Sequence, residues 1–212
     1  MPSPAQETYD HLAPVYDRRW ADYTEATLRA TLGGLDLRPG SRVLDLAAGT
    51  GELARRLLRG RDDLTVVGID LSRAMLVRGL AKPGLSPWGP VQGDATRLPF
   101  EQGAFDAVVC ANAFHHFPRP AAALAEVRRV LRPGGALTLT DWCDDYLTCK
   151  LCSIYLHLTD PSFRRAYTLR GCRRMLEDAG FRVVAHRKFK IDWLWGLMRL
   201  EARAPGFDAR RP

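Results

Sequence analysis

The stretch of residues 43–54, VLDLAAGTGELA, constrains the fold more than any other part of the chain. An apolar run that contains one acid, Asp45, precedes a turn of small residues, and a helix-like run begins at Glu52. This order predicts a buried strand, a tight turn and the N-terminus of a helix. Because glycine lacks a Cβ, Gly49 and Gly51 let a ligand approach the backbone, where the free amides of the helix start can bind its polar groups.

Two classes of ligand fit this turn. Gly49, Gly51 and Ala54 match the relaxed dinucleotide fingerprint GxGxxG/A, which is weak evidence when it stands alone. Asp45 favours S-adenosylmethionine instead, because a carboxylate repels a pyrophosphate and attracts the ammonium group of a methionine moiety. A third interpretation is that Asp45 only caps the turn.

Further along the chain, apolar segments alternate with helix-like segments, which is typical of a doubly wound parallel sheet. After the first strand, strands are predicted over residues 64–70, 91–95, 105–111 and 136–141, with a final hairpin over 181–192 and 197–204. Helices are predicted over residues 8–31, in two pieces broken at Pro14, and over 52–59, 121–131 and 169–179, with a loop at 82–90.

Polar side chains stand at the ends of the predicted parallel strands. The set consists of Asp45, Asp70, Asp94, Asn112 and Asp141. Because the carboxyl ends of parallel strands meet at one edge of a sheet, and ligands bind there, we expect these side chains to surround one site. An acid at the end of the second strand commonly accepts hydrogen bonds from ribose hydroxyls, which assigns that role to Asp70.

Two segments depart from the alternation. Residues 142–168 predict a helical insertion over the strand ends, and residues 9–20 repeat a Tyr-Asp pair at a spacing of seven. The repeated tyrosines are either core contacts, which helical spacing favours, or part of a flap over a ligand. We therefore expect one domain over residues 1–212, with an N-terminal helical flap at 1–36 and a helical lid at 142–168.

The charge of the chain does not indicate a nucleic-acid partner. The net charge is +7, but arginines supply 27 of the 31 basic residues and are scattered rather than interleaved with aromatics in a stripe. No apolar run is long enough to span a bilayer, and the N-terminus lacks the basic and apolar regions of a signal peptide. A cytoplasmic location is the default expectation.

Five cysteines, an odd number, indicate free thiols rather than a disulfide framework. Cys149-x-x-Cys152, with Cys143 and Cys172 nearby, leaves three interpretations open. The thiols are small buried hydrophobes, which is the favoured interpretation, ligands for a soft acceptor such as trivalent arsenic, or a zinc site. The zinc interpretation is weak because structural zinc usually takes paired C-x-x-C units, so no metal is predicted.

The sequence resembles the class I S-adenosylmethionine-dependent methyltransferases, in particular the group that includes the ubiquinone and menaquinone biosynthesis methyltransferases. The motifs that carry the resemblance occur in the family's order: VLDLAAGTG, VVGIDLSRAML, GDATRLPF, FDAVVCANAFHHF, LRPGGALTLTDW and WGLMRLEAR. The resemblance covers residues 9–204 and departs at Ala48, where the family often has Cys. It implies an α/β, Rossmann-like, doubly wound seven-stranded sheet with the last strand antiparallel, helices on both faces and a helical lid.

The resemblance also implies which residues bind the cofactor. Asp45, Gly49 and Gly51 would hold the methionine end of S-adenosylmethionine, Asp70 the ribose and Asp94 the adenine amino group. The full predicted cofactor-binding set is Tyr16, Asp45, Ala47, Gly49, Thr50, Gly51, Asp70, Leu71, Met75, Asp94, Ala95, Thr96, Ala111, Asn112 and His116, and the product would be S-adenosylhomocysteine. A dehydrogenase is disfavoured, because Asp94 has no role in one and no part of the chain remains for a substrate domain.

The predicted catalytic residues are His115, His116 and Asp141. The histidines follow the fourth strand beside the expected methyl group, and one of them could remove a proton from a hydroxyl acceptor. Alternatively, the His-His-Phe segment only shapes the pocket. No Asn/Asp-Pro-Pro-aromatic motif follows that strand, which disfavours a nucleic-acid methylase. The expected acceptor is therefore a small organic molecule, either quinone-like, phenolic or a natural product, methylated at O, N or C.

Overall fold

The structure, a computed structural model, describes residues 3–85 and 88–206. Its centre is a seven-stranded sheet in the order β3-β2-β1-β4-β5-β7-β6. The strands are β1 (Arg42–Leu46), β2 (Thr65–Asp70), β3 (Trp88–Gln92), β4 (Phe105–Ala111), β5 (Leu131–Trp142), β6 (Arg182–Lys190) and β7 (Gly196–Arg203). Only β7 runs antiparallel to its neighbours. The predicted Rossmann-like sheet with an antiparallel last strand is confirmed.

Helices cover both faces of this sheet. They are α1 (Pro4–Leu12), α2 (Tyr16–Arg19), α3 (Ala21–Leu32), α4 (Glu52–Leu58), α5 (Arg73–Leu80), α6 (Pro120–Val130), α7 (Leu147–Thr159) and α8 (Leu169–Asp178). Alternate residues of β1 point to opposite faces: Leu44 joins a core cluster with α6 and α8, and Val43 joins one with α3, α4 and α5. Because both faces are covered at the centre of the sheet, the central strand β4 is apolar and buried over most of its length, whereas the edge strand β6 is largely exposed.

Local signals explain where several helices begin and end. Ser72 caps α5 by accepting a hydrogen bond from the backbone N–H of Met75 at 3.1 Å, as its position after Asp70 predicts. Gly180, with a φ of +85°, follows α8 and ends it in the left-handed conformation expected of a C-cap. None of the helices in the described ranges is long and apolar enough to cross a membrane.

Several predicted boundaries are wrong. The fifth strand begins at Leu131, not at residue 136. The third strand begins at Trp88, not at residue 91, so residues 88–90 of the predicted loop pair with β2, whereas residues 86 and 87 lie outside the described ranges. Pro90 is tolerated because β3 is an edge strand. The N-terminal helical region begins earlier than predicted, because Ser3 caps α1. It forms three helices and not two, because a second break lies at Trp20. The predicted insertion is helical only over Leu147–Thr159.

A packing test of this fold uses two glycines on adjacent strands. A Cβ at Gly68 would lie 2.6 Å from the indole of Trp88 and 2.9 Å from the Cβ of Ala48. The indole is buried and cannot move freely, so Gly68→Ala should lower the free energy of unfolding by about 1–3 kcal/mol. Gly89→Ala is the matched control, because its nearest neighbouring atom is 3.9 Å away. Urea denaturation measures both, and equal stabilities would contradict the tight packing.

Candidate functional site

A cavity of about 380 Å³ opens where β1, β2 and β4 end. Helices α1 to α3, the turn after β1 and the loop after β4 form its walls. Every residue of the predicted cofactor-binding set lines it except Gly51. Gly51 instead precedes α4 with a φ of +73°, and a Cβ there would meet Leu85 and Trp88. It therefore shapes the turn from behind the cavity wall.

The turn after β1 is sharp and is held to the next strand. Ala47 and Gly49 both have left-handed backbones, with φ values of 60° and 54°, which is uncommon for a residue with a Cβ such as alanine. The N–H of Gly49 donates to Asp70 Oδ2 at 2.8 Å, and the N–H of Ser72 donates to Asp70 Oδ1 at 2.8 Å. One carboxylate therefore joins the turns that follow β1 and β2.

Asp45 borders the cavity without a charged partner. Its side chain is buried, at 3% exposure, and its Oδ2 atom has no hydrogen-bond partner among the residues that the structure describes. Burial and the neighbouring charge of Asp70 raise the pKa of Asp45 to about 8. A buried carboxylate of this kind is costly unless a cation compensates it. The site consequently fits a ligand with a positively charged group, as the ammonium of S-adenosylmethionine would provide.

The N-terminal helices contribute to the cavity through the Tyr-Asp repeat. Tyr9 and Tyr16 line the cavity. Asp10 Oδ1 accepts a hydrogen bond from Ser72 Oγ at 2.5 Å, and Asp17 Oδ1 accepts one from Thr50 Oγ1 at 2.5 Å. Each pair thus directs its tyrosine to the cavity and its aspartate to the body of the sheet domain, so these tyrosines are more than core contacts.

His116 is held in one tautomer at the cavity wall. Its Nδ1 atom lies 2.8 Å from the carbonyl oxygen of Ser162, to which it must donate, so that Nε2 accepts from the Tyr9 hydroxyl at 2.7 Å. Burial, together with the nearby ring of His115, lowers the pKa of His116 to about 3. The imidazole is therefore neutral at physiological pH.

His115 and Asp141 lie behind that wall and do not line the cavity. Asp141 accepts hydrogen bonds from His115 twice, at Nδ1 (2.6 Å) and at the backbone N–H (2.8 Å). The ring of His115 also stacks on Trp142, with centroids 4.2 Å apart. These contacts hold the loop that carries His116. The geometry of His115 and Asp141 therefore suits them to position His116.

The sequence patterns do not point to several residues that line the cavity or hold its walls in place. Arg164 lines the cavity, and Ser162, close by, holds His116 through its backbone oxygen, yet no local pattern marks either residue. Tyr23 donates to Asn112 Oδ1 at 3.0 Å and so connects α3 to the end of β4. Tyr9, which also lines the cavity, is different, because the Tyr-Asp repeat in the sequence points to it.

The cysteines lie away from the cavity. All five are free, none lines the cavity, and Cys149 contacts the carbonyl oxygen of Gly196 at 3.2 Å. Burial raises the pKa of Cys143 to about 11, which keeps its thiol protonated. Within residues 3–85 and 88–206, no group of three or more His, Cys, Asp or Glu side chains is placed to hold a metal. The arsenic and zinc interpretations therefore find no support. Four of the five thiols are buried and pack as small hydrophobes, whereas Cys152 is partly exposed.

Comparisons with known proteins agree with this geometry. The family described as "Methyltransferase domain" matches residues 44–139. The demethylmenaquinone methyltransferase of Beutenbergia cavernae is 43% identical over 136 residues, 64% of this chain and 52% of that protein. The enzyme of the same name from Renibacterium salmoninarum is 32% identical over 179 residues, 79% of this chain and 65% of that protein.

The fold is also found among solved structures. A chain of the complex between the Haloferax volcanii Trm112 methyltransferase activator and a methyltransferase superposes with a TM-score of 0.82 at 21% identity, covering 93% of this chain and 97% of that one. The aligned part of the two curated relatives is 52% and 65% of their own length. Together with the cavity, these similarities show that the chain belongs to the class I S-adenosylmethionine-dependent methyltransferases, whose cofactor is S-adenosylmethionine, and that it resembles their ubiquinone and menaquinone group.

Proposed function

We propose that this protein transfers the methyl group of S-adenosylmethionine to a small aromatic acceptor that carries an ionisable hydroxyl, such as a reduced quinone or a phenol. The observation that carries the proposal is Asp45, a buried carboxylate with an unpartnered oxygen on a cavity that also holds Asp70 and Asp94. An anionic dinucleotide would leave that carboxylate unpaired, whereas the ammonium of the methionine moiety compensates it.

The proposed cofactor contacts use the predicted set. Asp45 and the turn at Gly49 bind the methionine end, Asp70 accepts from the ribose hydroxyls, and Asp94 accepts from the adenine. Each oxygen of Asp70 receives one backbone N–H and keeps a further lone pair for a hydroxyl donor. Asp94 lies at the exposed rim, where its Oδ1 accepts from the N–H of Thr96 at 2.8 Å.

The remaining wall of the cavity supports an aromatic acceptor. Tyr9, His116, Phe117, Pro118 and Arg164 combine flat apolar surfaces, hydrogen-bonding groups and one cation. Such a wall suits a planar ring that carries oxygen atoms. The names of the two relatives, demethylmenaquinone methyltransferases, favour a quinone-like acceptor.

His116 is proposed to orient the acceptor. Because the pKa of its imidazole is lowered to about 3, the proton that the acceptor loses on methylation passes to solvent water and does not stay on His116. When bound, S-adenosylmethionine supplies an activated methyl group, and in-line displacement depends mainly on the position of the nucleophile. The Nε2 atom of His116 accepts a hydrogen bond from the Tyr9 hydroxyl. In the proposed complex, the hydroxyl of the methyl acceptor would donate this hydrogen bond in place of Tyr9. His115 and Asp141 keep the imidazole in place from behind.

Access to this cavity is proposed to require movement of α1 and α2, which are part of the predicted flap of residues 1–36, and of the segment around Ser162 in the predicted lid. The flap is attached mainly by polar contacts, since α1 and α2 contain no buried residue. Lys82 strengthens one attachment by pairing with Asp17 at 2.9 Å. Contacts of this kind can break and re-form at moderate cost.

Binding and transfer assays test the proposal. Calorimetry should detect S-adenosylmethionine and S-adenosylhomocysteine but not NAD. Radiolabelled methyl transfer should then occur to hydroquinones or phenols in a panel that also contains amines and arsenite with thiol. Binding of NAD in place of S-adenosylmethionine would refute the cofactor assignment, and transfer to amines alone would refute the acceptor class.

The first prediction from this site concerns protons. Because the pKa of Asp45 is about 8 without ligand, and a bound ammonium favours the charged carboxylate, S-adenosylhomocysteine binding near pH 7 should release up to about one proton. Affinity should rise as the pH increases towards 8 and then level off. Calorimetry in two buffers with different ionisation enthalpies measures the release. In Asp45→Asn the proton release should disappear and affinity should fall by about tenfold or more; equal heats for the wild type in both buffers would contradict the assignment.

The second prediction concerns His116. Since its pKa is lowered from 6.5 to about 3, kcat/KM for the acceptor should show no His116 ionisation near pH 6.5. His116→Gln should reduce kcat/KM by about 10- to 100-fold through lost positioning. Tyr9→Phe, which removes the competing hydroxyl, should lower the acceptor's KM. A wild-type transition near pH 6.5 that vanishes in His116→Gln would instead identify an ordinary general base.

A further inference from the structure

The turn that follows α7 is folded around the side chain of Asp160. The Oδ1 atom of this residue accepts two hydrogen bonds from Ser162, one from the backbone N–H at 2.8 Å and one from the hydroxyl at 2.6 Å. The first bond closes an Asx turn, in which a carboxylate takes the place of a backbone carbonyl oxygen. Ser162 is buried, and both of its donor groups bind this one oxygen. The direction of the Ser162 carbonyl group therefore depends on Asp160.

That carbonyl oxygen determines which nitrogen of His116 carries the proton. It lies 2.8 Å from Nδ1. Because a carbonyl oxygen can only accept a hydrogen bond, the proton lies on Nδ1. Burial lowers the pKa of the imidazole to about 3, and the neutral ring then has an unprotonated Nε2 that can only accept. The turn at Asp160 is thus connected to the hydrogen-bonding character of Nε2.

Other contacts hold this segment without holding the same carbonyl group. The N–H groups of Arg164 and Arg165 both donate to the carbonyl oxygen of His115, at 3.1 and 3.0 Å. The ring of Phe163 packs beside that of His115, with centroids 5.8 Å apart. These contacts bring the segment to the loop that carries the two histidines, but Ser162 itself is held by its bonds to the carboxylate.

Tyr9 shows which kind of group Nε2 binds. Its hydroxyl donates to Nε2 of His116 at 2.7 Å, and the two rings meet edge to face with centroids 5.3 Å apart. Burial raises the pKa of Tyr9 well above its ordinary value, so the phenol keeps its proton. The protein therefore already places one neutral phenol on this nitrogen.

We propose that Asp160 is a positioning residue that keeps the proton of His116 on Nδ1, and that the methyl acceptor must consequently donate a hydrogen bond to Nε2. The second part rests on the proposed function, in which the acceptor takes the place of the Tyr9 hydroxyl. A neutral hydroxyl fits an accepting nitrogen, whereas an ether oxygen or a phenolate would set lone pairs against lone pairs. Asp160 thereby selects the protonated form of the acceptor without touching it.

Nitrogen NMR of the isotope-labelled full chain tests the first part without methyl transfer, because protonated and unprotonated ring nitrogens differ widely in chemical shift. The signals of His116 are those that disappear in His116→Gln. With S-adenosylhomocysteine present, the wild type should show one tautomer, protonated on Nδ1. Asp160→Ala should raise the population of the Nε2-protonated tautomer by about tenfold or more, because the carbonyl oxygen loses its fixed direction. Asp160→Asn should resemble the wild type, since an amide oxygen can accept both bonds.

Asp192→Ala is the matched control. In the turn between β6 and β7, Asp192 Oδ1 accepts the N–H of Leu194 at 2.8 Å and that of Trp195 at 2.6 Å, the same two lengths as at Asp160. This variant removes an equivalent turn that does not hold the Ser162 carbonyl group, so the tautomer of the histidine should not change.

All variants should bind S-adenosylhomocysteine within about twofold of the wild type, which shows that they are folded. If Asp160→Ala does not fold, Asp160→Ser replaces it. A serine hydroxyl supports such a turn more weakly than a carboxylate, so the tautomer population should shift in the same direction by a smaller amount.

A naphthol and its methyl ether test the second part, because they share the same rings and only the naphthol can donate a hydrogen bond. Both are titrated into the complex with S-adenosylhomocysteine while the His116 signals are followed. The wild type should bind the naphthol about tenfold or more tightly than the ether, and Asp160→Ala should reduce this preference to about threefold or less.

Several results would overturn the proposal. The first part is wrong if the wild type is protonated on Nε2, if folded Asp160→Ala keeps a single tautomer, or if Asp192→Ala shifts the tautomer as much as Asp160→Ala does. The second part is wrong if the wild type binds the ether as tightly as the naphthol or binds neither. A wild type with the expected tautomer and preference that methylates no hydroxyl acceptor would support the role of Asp160 and refute the proposed function instead.

Discussion

The two hydrogen bonds that Asp70 accepts hold the site together. Its carboxylate receives the N–H groups of Gly49 and Ser72, which belong to the turns after β1 and β2. The turn after β1 has left-handed residues at Ala47 and Gly49, and such a backbone persists only where its surroundings define it. Without this acceptor, the Gly49 amide would lose its hydrogen bond, and the turns before α4 and α5 would lose the link that fixes their relative position. The same carboxylate is proposed to bind the ribose, so the scaffold and the ligand share one group.

Electrostatics at this edge of the sheet depend on the nearness of Asp45 and Asp70. The negative charge of Asp70 adds to the effect of burial and raises the pKa of Asp45. Two acids within a poorly solvated site are unfavourable alone and become favourable with a cationic ligand. A ligand that carries an ammonium group therefore gains binding free energy by neutralising this site.

The N-terminal helices complete the cavity through contacts of a different kind. Aspartates at positions 10 and 17 attach them to Ser72 and Thr50, and Tyr9 reaches His116 across the cavity. These contacts are polar, and neither α1 nor α2 contains a buried residue. Helices α6 and α8, by contrast, pack on the sheet through apolar side chains. The cavity therefore combines a rigid floor of strand ends with a cover that is attached by a few hydrogen bonds. On the other side, the turn that Asp160 forms after α7 holds the wall that carries His116.

Much of the fold, and most of the residues that line the cavity, could be predicted from the sequence, because those features depend on local patterns. The strand at Phe105–Ala111 has the predicted bounds, since a continuous apolar run between turn signals is typical of a central strand. The acids at the strand ends converge because parallel strands bring their carboxyl ends to one edge. Tertiary structure alone decided the rest. His115 and His116 are neighbours with identical side chains, yet only His116 reaches the cavity, because Asp141 draws His115 into the layer behind. The hydrogen bond between Tyr9 and His116 joins residues 107 positions apart, and the start of β3 at Trp88 follows from pairing with β2 rather than from its own composition. Long-range contacts of this kind depend on how the elements pack, and no local pattern records them.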